Sequence, residues 1–138
     1  MSQLNPYLHF RGEAREAMEF YKSVFGGELH LMSFKDAGMP IDASEENLVM
    51  HSELRAGNLV FMGSDTPSHM EANPGNSITM SLTGDEEAEL RGYFEKLTAG
   101  GTIMQPLEAA PWGDTFGMLT DRFGIEWMVN ISAGQQPS

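Results

Sequence analysis

Two glycine pairs, Gly26-Gly27 and Gly100-Gly101, recur 74 positions apart (100 − 26) and mark two similar halves of the chain. The same offset relates Leu8 to Leu82, Glu13 to Glu87, Phe20 to Phe94 and Leu29 to Ile103. Each half reads as strand, helix, strand, strand, strand. Because so small a unit cannot bury its sheet alone, the repeat predicts two βαβββ modules that pair.

The predicted fold is therefore α+β, with the two modules forming a curled, cup-like mixed sheet and the helices outside. At 138 residues the chain fits a single domain, 1–138. Module 1 is expected at about 4–66 and module 2 at about 76–132. A ligand pocket is expected inside the cup.

The first half contains an amphipathic helix that ends at Gly26-Gly27. The apolar residues that recur at three- and four-residue spacing, and so share its buried face, are Ala14, Ala17, Met18, Tyr21, Val24 and Phe25. Two strands, Leu48 to Leu54 and Asn58 to Gly63, are expected to follow a long polar loop.

The second half opens with a strand, Ser77 to Leu82, and a helix that Thr83 and Glu86 are expected to start by capping-box spacing. The buried stripe of that helix is predicted as Leu90, Tyr93, Phe94 and Leu97. A short strand, Thr102 to Gln105, precedes the final hairpin. Its strands are expected at Thr115 to Thr120 and Ile125 to Ile131, around the turn Asp121 to Gly124.

The composition of the chain limits which partners and which chemistry we expect. Twenty acidic and eight basic residues give a formal charge of −12, which argues against a nucleic-acid partner and favours neutral or cationic small ligands. No apolar run approaches the roughly 18 residues that a membrane span needs. The chain has no cysteine, so neither disulfides nor thiolate chemistry are expected, and we predict a cytoplasmic protein.

The four histidines lie on different predicted elements without short ligand spacing. His51 is expected to share a strand face with Val49 and Glu53 and to point into the cup as a base or hydrogen-bond partner. A purely structural role is the alternative for His51, and more so for His9. His30 and His69 are expected at the surface.

A mixed lining of soft apolar and hydrogen-bonding groups is predicted for the cup, which suits a small organic molecule. Trp112 and Asp114 border it, unless Trp112 merely closes the end of the cup and Asp114 caps the loop through backbone amides. Trp127, Val129 and Ile131 are expected to face the helix. The predicted ligand-binding residues are Tyr7, His51, Met62, Ser77, Thr79, Trp112, Asp114, Glu126 and Met128.

Three motifs resemble those of a known family. They are FYKSVFGGEL from Phe20 to Leu29, L-x-x-G-x-x-x-x-M-G-S-D ending at Asp65, and W-G-D-x-F-G-x-x-x-D-x-F-G-x-x-W from Trp112 to Trp127. In this order they resemble the PhnB-like branch of the glyoxalase, bleomycin-resistance and extradiol dioxygenase (vicinal oxygen chelate) superfamily. The resemblance implies paired βαβββ modules, a homodimer and a pocket near the module interfaces. PhnB-like proteins largely lack an assigned reaction.

The resemblance also permits a test for metal binding. The superfamily's ligand positions map to about Asn5, Met62, Ser77 and Met128, which are poor ligands for a divalent ion. We therefore expect no metal and no other cofactor. The predicted function is a small-molecule binder or an enzyme of unassigned reaction. The alternative is a metal-dependent lyase, isomerase or dioxygenase.

Overall fold

The computed structural model describes residues 4–38, 41–68 and 78–132. Contacts group the chain into two compact units, Met1–Pro74 and Gly75–Ser138. The predicted modules, 4–66 and 76–132, each lie inside one unit, and a single domain over 1–138 stays a prediction. Among the described residues, no helix is long and apolar enough to cross a bilayer.

The first unit is a four-stranded mixed sheet with one helix. Its elements are β1 (Tyr7–Phe10), α1 (Ala14–Phe25), β2 (Glu28–Ser33), β3 (Val49–Ala56) and β4 (Leu59–Asp65). The strand order is β1-β4-β3-β2, with β1 parallel to β4 and the other neighbours antiparallel. A 3-10 helix, Ala43–Glu45, lies in the predicted loop.

The second unit repeats this arrangement. Its elements are β5 (Met80–Gly84), α2 (Glu87–Leu97), β6 (Thr102–Ala109), β7 (Thr115–Thr120) and β8 (Glu126–Ile131). The order is β5-β8-β7-β6, and again only the first and last strands of the module pair in parallel. The predicted α+β fold of two βαβββ modules is confirmed.

The second glycine of each pair lies where two backbones approach closely. A Cβ on Gly27 would lie 2.1 Å from the carbonyl oxygen of Arg55, and one on Gly101 would lie 2.3 Å from that of Thr120. No side chain fits at such distances. The repeated glycine therefore has the same physical cause in both modules, which is the return of the chain from the helix to the sheet.

Each helix packs an apolar stripe against one face of its own sheet. The predicted α1 stripe is confirmed, except that Phe25 is only half-buried. Tyr21 and Phe61 meet edge to face, with ring centroids 5.5 Å apart. On α2, Leu90, Phe94 and Leu97 are buried. Tyr93 was predicted in this stripe but is only half-buried, and its hydroxyl donates to Glu89 on the same helix.

The predicted capping box at the start of α2 is wrong. Thr83 lies in β5 opposite Asn130, and α2 begins at Glu87. The N-cap residue is Glu86, which makes no side-chain capping bond. Pairing with β8 continues the strand to Gly84, so the helix starts three residues later than predicted and Thr83 is not its N-cap residue.

Strand pairing also alters two other predictions. Met32 pairs with His51 and Ser33 with Val49, so Met50 is an extra residue in β3. This bulge places Val49 with the buried Ser52 and Leu54, and the prediction that Val49 and His51 share a face is wrong. In module 2, β6 extends beyond the predicted end to Ala109.

Candidate functional site

The face of each sheet that turns away from its helix carries most of the predicted site residues. Open face 1 is the set of module 1 residues that alternate with the buried ones, namely Tyr7, His9, His30, Met32, His51, Glu53 and Met62. Open face 2 is the corresponding set of module 2, namely Ser81, Thr83, Phe116, Met118, Glu126, Met128 and Asn130.

Three predicted residues from three strands meet on open face 1. Tyr7 and Met62 are Cα partners on β1 and β4. The Tyr7 hydroxyl lies 3.3 Å from Nδ1 of His51 on β3, and the two ring centroids are 5.9 Å apart. A phenol, an imidazole and a thioether therefore adjoin, with the Tyr7 side chain 39% exposed. Such a group offers both hydrogen bonds and soft apolar contact.

His9 belongs to the same cluster, which the sequence reading did not expect. His9 and Tyr7 both lie on β1, and their ring centroids are 5.1 Å apart. The signal was the i, i+2 spacing, since alternate residues of a strand share a face. His30 is exposed, as predicted, and pairs with Glu53 on this face. His69 lies outside the described residues.

Strand β8, which lies between β5 and β7, presents on open face 2 the residues that alternation predicted. Glu126, Met128 and Asn130 are half-buried on open face 2, whereas Trp127, Val129 and Ile131 are buried. Thr79 donates its hydroxyl to Oε1 of Glu126 at 3.4 Å, just before β5 begins. Met128 pairs with Ser81 and Met118. The predicted residue Ser77 lies outside the described residues.

Trp112 and Asp114 meet at the end of β8 through Asn130. The Trp112 indole N–H donates to Oδ1 of Asn130 at 3.2 Å, and Nδ2 of Asn130 donates to Oδ2 of Asp114 at 3.0 Å. The Phe116 ring meets the indole edge to face at 5.4 Å. Trp112 is nevertheless 59% exposed. A hydrogen-bonded indole thus stands beside a carboxylate, held by a residue that the sequence reading had not linked to it.

Two buried carboxylates have structural roles. Asp65 accepts from the backbone N–H of Ala14 at 2.9 Å and of Val49 at 3.0 Å, which joins the start of α1 to β3. Asp121 accepts from the N–H of Ile125 and from the indole of Trp127, at 3.1 and 2.9 Å. The predicted turn is thereby tied to the core.

The residues present do not fit the metal that the superfamily resemblance implies. Met62 and Met128 suit soft ions, and Asn5 is a weak neutral donor. Across the described ranges, no three His, Asp or Glu side chains gather where they would hold an ion.

Tyr93 on α2 has a clearly shifted pKa. Burial raises it first, and the hydrogen bond to Glu89 and the charges of Glu89 and Glu86 add to the effect, from 10.0 to about 12. Burial, together with Glu89 and Glu86, therefore favours the protonated phenol. It lies on the helix rather than on an open face, so the shift concerns stability.

This arrangement of two βαβββ modules is the fold of the glyoxalase and bleomycin-resistance proteins. A protein of that description from Burkholderia phytofirmans shares the fold at 14% identity with a TM-score of 0.58. A sequence model of the family described as 3-demethylubiquinone-9 3-methyltransferase matches residues 2–130. The chain belongs to this family, and the predicted PhnB-like resemblance is confirmed.

Individual relatives cover nearly the whole chain. Protein YjdN of Escherichia coli is 31% identical, over 98% of both chains. A protein of Pseudomonas aeruginosa with a known crystal structure is 37% identical, covers 96% of this chain and 98% of its own, and has a TM-score of 0.85. For a PhnB protein of Bacillus cereus the identity is 26%, the coverage 95% and 100%, and the TM-score 0.73.

Proposed function

We propose that this chain binds a small organic molecule, neutral or cationic, through side chains of its open faces and without a metal ion. The observation that carries this proposal is the meeting of Tyr7, His51 and Met62 on open face 1. These side chains come from three strands and leave the packing of the core to other residues. Family membership supports the same reading, because the fold is shared with small-molecule-binding proteins.

Charge favours neutral and cationic ligands over anions. Unit Met1–Pro74 has eleven acidic and five basic residues, and unit Gly75–Ser138 has nine and three, so each has a formal charge of −6. The potential of the whole chain therefore repels anions at long range. Salt screens this effect beyond about 10 Å at 0.1 M.

Calorimetry with three matched probes tests the proposal. Benzyl alcohol, benzylammonium and benzoate share one ring and differ in charge. We expect the neutral and cationic probes to bind and benzoate to bind least, with Tyr7→Phe and His51→Leu weakening the neutral probe. Equal affinity for benzoate and benzylammonium would contradict the charge preference, and no binding of any probe would contradict the function.

Elemental analysis separates this function from the metal-dependent alternative. We expect the purified protein to retain no stoichiometric zinc, nickel, manganese or iron. One equivalent of any of these ions would favour a lyase, isomerase or dioxygenase of the glyoxalase or extradiol type instead.

A homodimer is part of the proposal. Strand β6 is an edge of its sheet and exposes Ile103 and Met104 by 51% and 52%. An exposed edge strand with apolar side chains is a pairing surface. Sedimentation is expected to give twice the chain mass of 15.2 kDa, and a monomer at all concentrations would contradict this. Cytoplasmic localisation and the lack of a nucleic-acid partner stay predictions.

A further inference from the structure

We infer that open face 2 carries a subsite for an organic ammonium group, at the exposed indole of Trp112 beside Asp114. We call Trp112, Asp114, Phe116 and Asn130 the indole subsite. The inference rests on the proposed small-molecule binding and adds the position and chemical class of one recognised group.

The indole is exposed and yet oriented. Its N–H can only donate and an ionised carboxylate can only accept, so the chain from Trp112 through Asn130 to Asp114 has one consistent direction. Phe116 supports the ring edge to face. An exposed aromatic side chain ordinarily loses freedom when it binds a ligand. Here that ordering is largely complete beforehand, which favours binding.

Every charged strand residue on this side of the sheet is acidic. Glu108 is the Cα partner of Phe116 and lies beside the subsite, whereas Glu126 pairs with Thr120 at the other end of β7. The three basic residues of unit Gly75–Ser138 are elsewhere: Arg91 and Lys96 on α2, and Arg122 in the turn after β7. Thr120 and Phe116 are four positions apart, roughly 13 Å along a strand, so the turn that carries Arg122 is distant from the subsite.

These features select a cation over other aromatic-binding groups. The face of an indole attracts a cation through the negative charge of its π system. A carboxylate at the same place strengthens that attraction and opposes an anion. A neutral ligand gains only the apolar contact. An alkylated or protonated amine is therefore the group that gains from both components of the indole subsite.

Fluorescence offers a direct test because the chain has two tryptophans of opposite exposure. Trp112 is 59% exposed, whereas Trp127 is 2% exposed and hydrogen-bonded to Asp121. Choline and its uncharged carbon isostere, 3,3-dimethylbutan-1-ol, serve as probes. We expect choline to change the fluorescence emission of Trp112 until the signal saturates. The isostere is expected to bind at least about fivefold more weakly.

Two variants and a control locate the effect. Trp112→Leu is expected to abolish the response to choline, with binding followed by calorimetry. Asp114→Asn keeps an acceptor for Asn130 but removes the charge, and is expected to weaken choline about tenfold. Glu95→Gln, on the exposed side of α2, makes the same change in net charge and is expected to leave the affinity unaltered. Melting temperatures verify that each variant is folded.

The outcomes separate the inference from the function on which it rests. Equal binding of choline and its isostere would overturn the subsite, as would equal losses in Asp114→Asn and Glu95→Gln. If the benzyl probes bind and respond to Tyr7 and His51 variants while choline is insensitive to Trp112→Leu, the function stands and the subsite fails. If no probe binds at all, both fail.

Discussion

The two modules share one skeleton but present different chemistry on their open faces. Across module 1 the central row of paired residues is Tyr7, Met62, Glu53 and His30. Across module 2 the corresponding row is Ser81, Met128, Met118 and Gln105. A methionine holds the same place on β4 and β8. The other residues of the row account for the difference: Tyr7, Glu53 and His30 are titratable, whereas Ser81, Met118 and Gln105 are not.

The difference has a packing reason. Residues between a helix and its sheet must fill a shared space, so each helix buries apolar side chains there, among them Tyr21 and Val24 on α1 and Phe94 and Leu97 on α2. Residues of an open face meet no such demand from their own module. The repeat therefore preserves the scaffold and leaves the open faces free to specialise, one with histidines and a phenol and the other with an indole and carboxylates.

The largest expected effect tests the shared skeleton. Gly27→Ala and Gly101→Ala each force a Cβ against a backbone carbonyl, at 2.1 and 2.3 Å. We expect each to lower the free energy of unfolding by about 3 kcal/mol, measured by urea denaturation. Gly27→Ala is expected to cost more, because Gly27 also has φ of +86°.

Gly92→Ala is the matched control for these glycines. Gly92 lies within α2, and a Cβ there meets no atom within 4 Å. Alanine at this position is expected to stabilise by about 0.5–1 kcal/mol. If Gly27→Ala and Gly101→Ala were as harmless as Gly92→Ala, the two returns from helix to sheet would not share the proposed constraint.

The next effect sharpens a contrast between equivalent positions. Asp65 pairs with Phe10 and Ile131 with Gly84, so the two residues end corresponding strands. Asp65→Ala leaves two buried N–H groups without their acceptor and is expected to cost about 3 kcal/mol. Ile131→Val removes one methylene and is expected to cost about 1 kcal/mol. Equal costs in thermal unfolding would show that the carboxylate has no special role.

Features set by local spacing were predictable from the sequence, whereas features set by strand pairing were not. The α1 stripe was predictable because helical spacing is local and unbroken from Ala14 to Val24. The face of Val49 was not, because the extra residue Met50 appears only when β3 is paired with β2. The capping prediction at Thr83 failed for a similar reason. Pairing with β8 continues the strand past Thr83, and the local sequence around Thr83 does not show this pairing.

For the candidate site, the strand face of a residue was more predictable than its contacts. Alternation placed Glu126 and Met128 on the open side of β8. The link between Trp112 and Asp114 depends on Asn130, which is 18 positions from Trp112 and reaches it only across the hairpin. Hydrogen bonds of this range follow from tertiary structure, and no local pattern encodes them.

A smaller effect tests whether the open faces are independent. Tyr7→Phe keeps the ring and removes the hydroxyl that lies 3.3 Å from His51. We expect a loss of about 0.5 kcal/mol in unfolding free energy and a change in the imidazole NMR signals of His51. The emission of Trp112 is expected to stay unchanged. A simultaneous change in that emission would show that the two faces act as one unit.

The smallest effect distinguishes the helices at alkaline pH. Tyr93 on α2 has its pKa raised from 10.0 to about 12, whereas the position 74 residues earlier on α1 is Glu19 and carries no phenol. Below pH 10 both the folded and the unfolded chain keep the Tyr93 proton. Between pH 10 and 12 the unfolded chain loses it first, so stability falls as pH rises through this window. The slope is expected to be well under the ~1.4 kcal/mol per pH unit of a fully protected group, because solvent reaches Tyr93. Denaturation of Tyr93→Phe against the native chain measures this contribution. An identical alkaline decline in both would show that burial and the acidic neighbours of Tyr93 do not hold its proton in the folded chain.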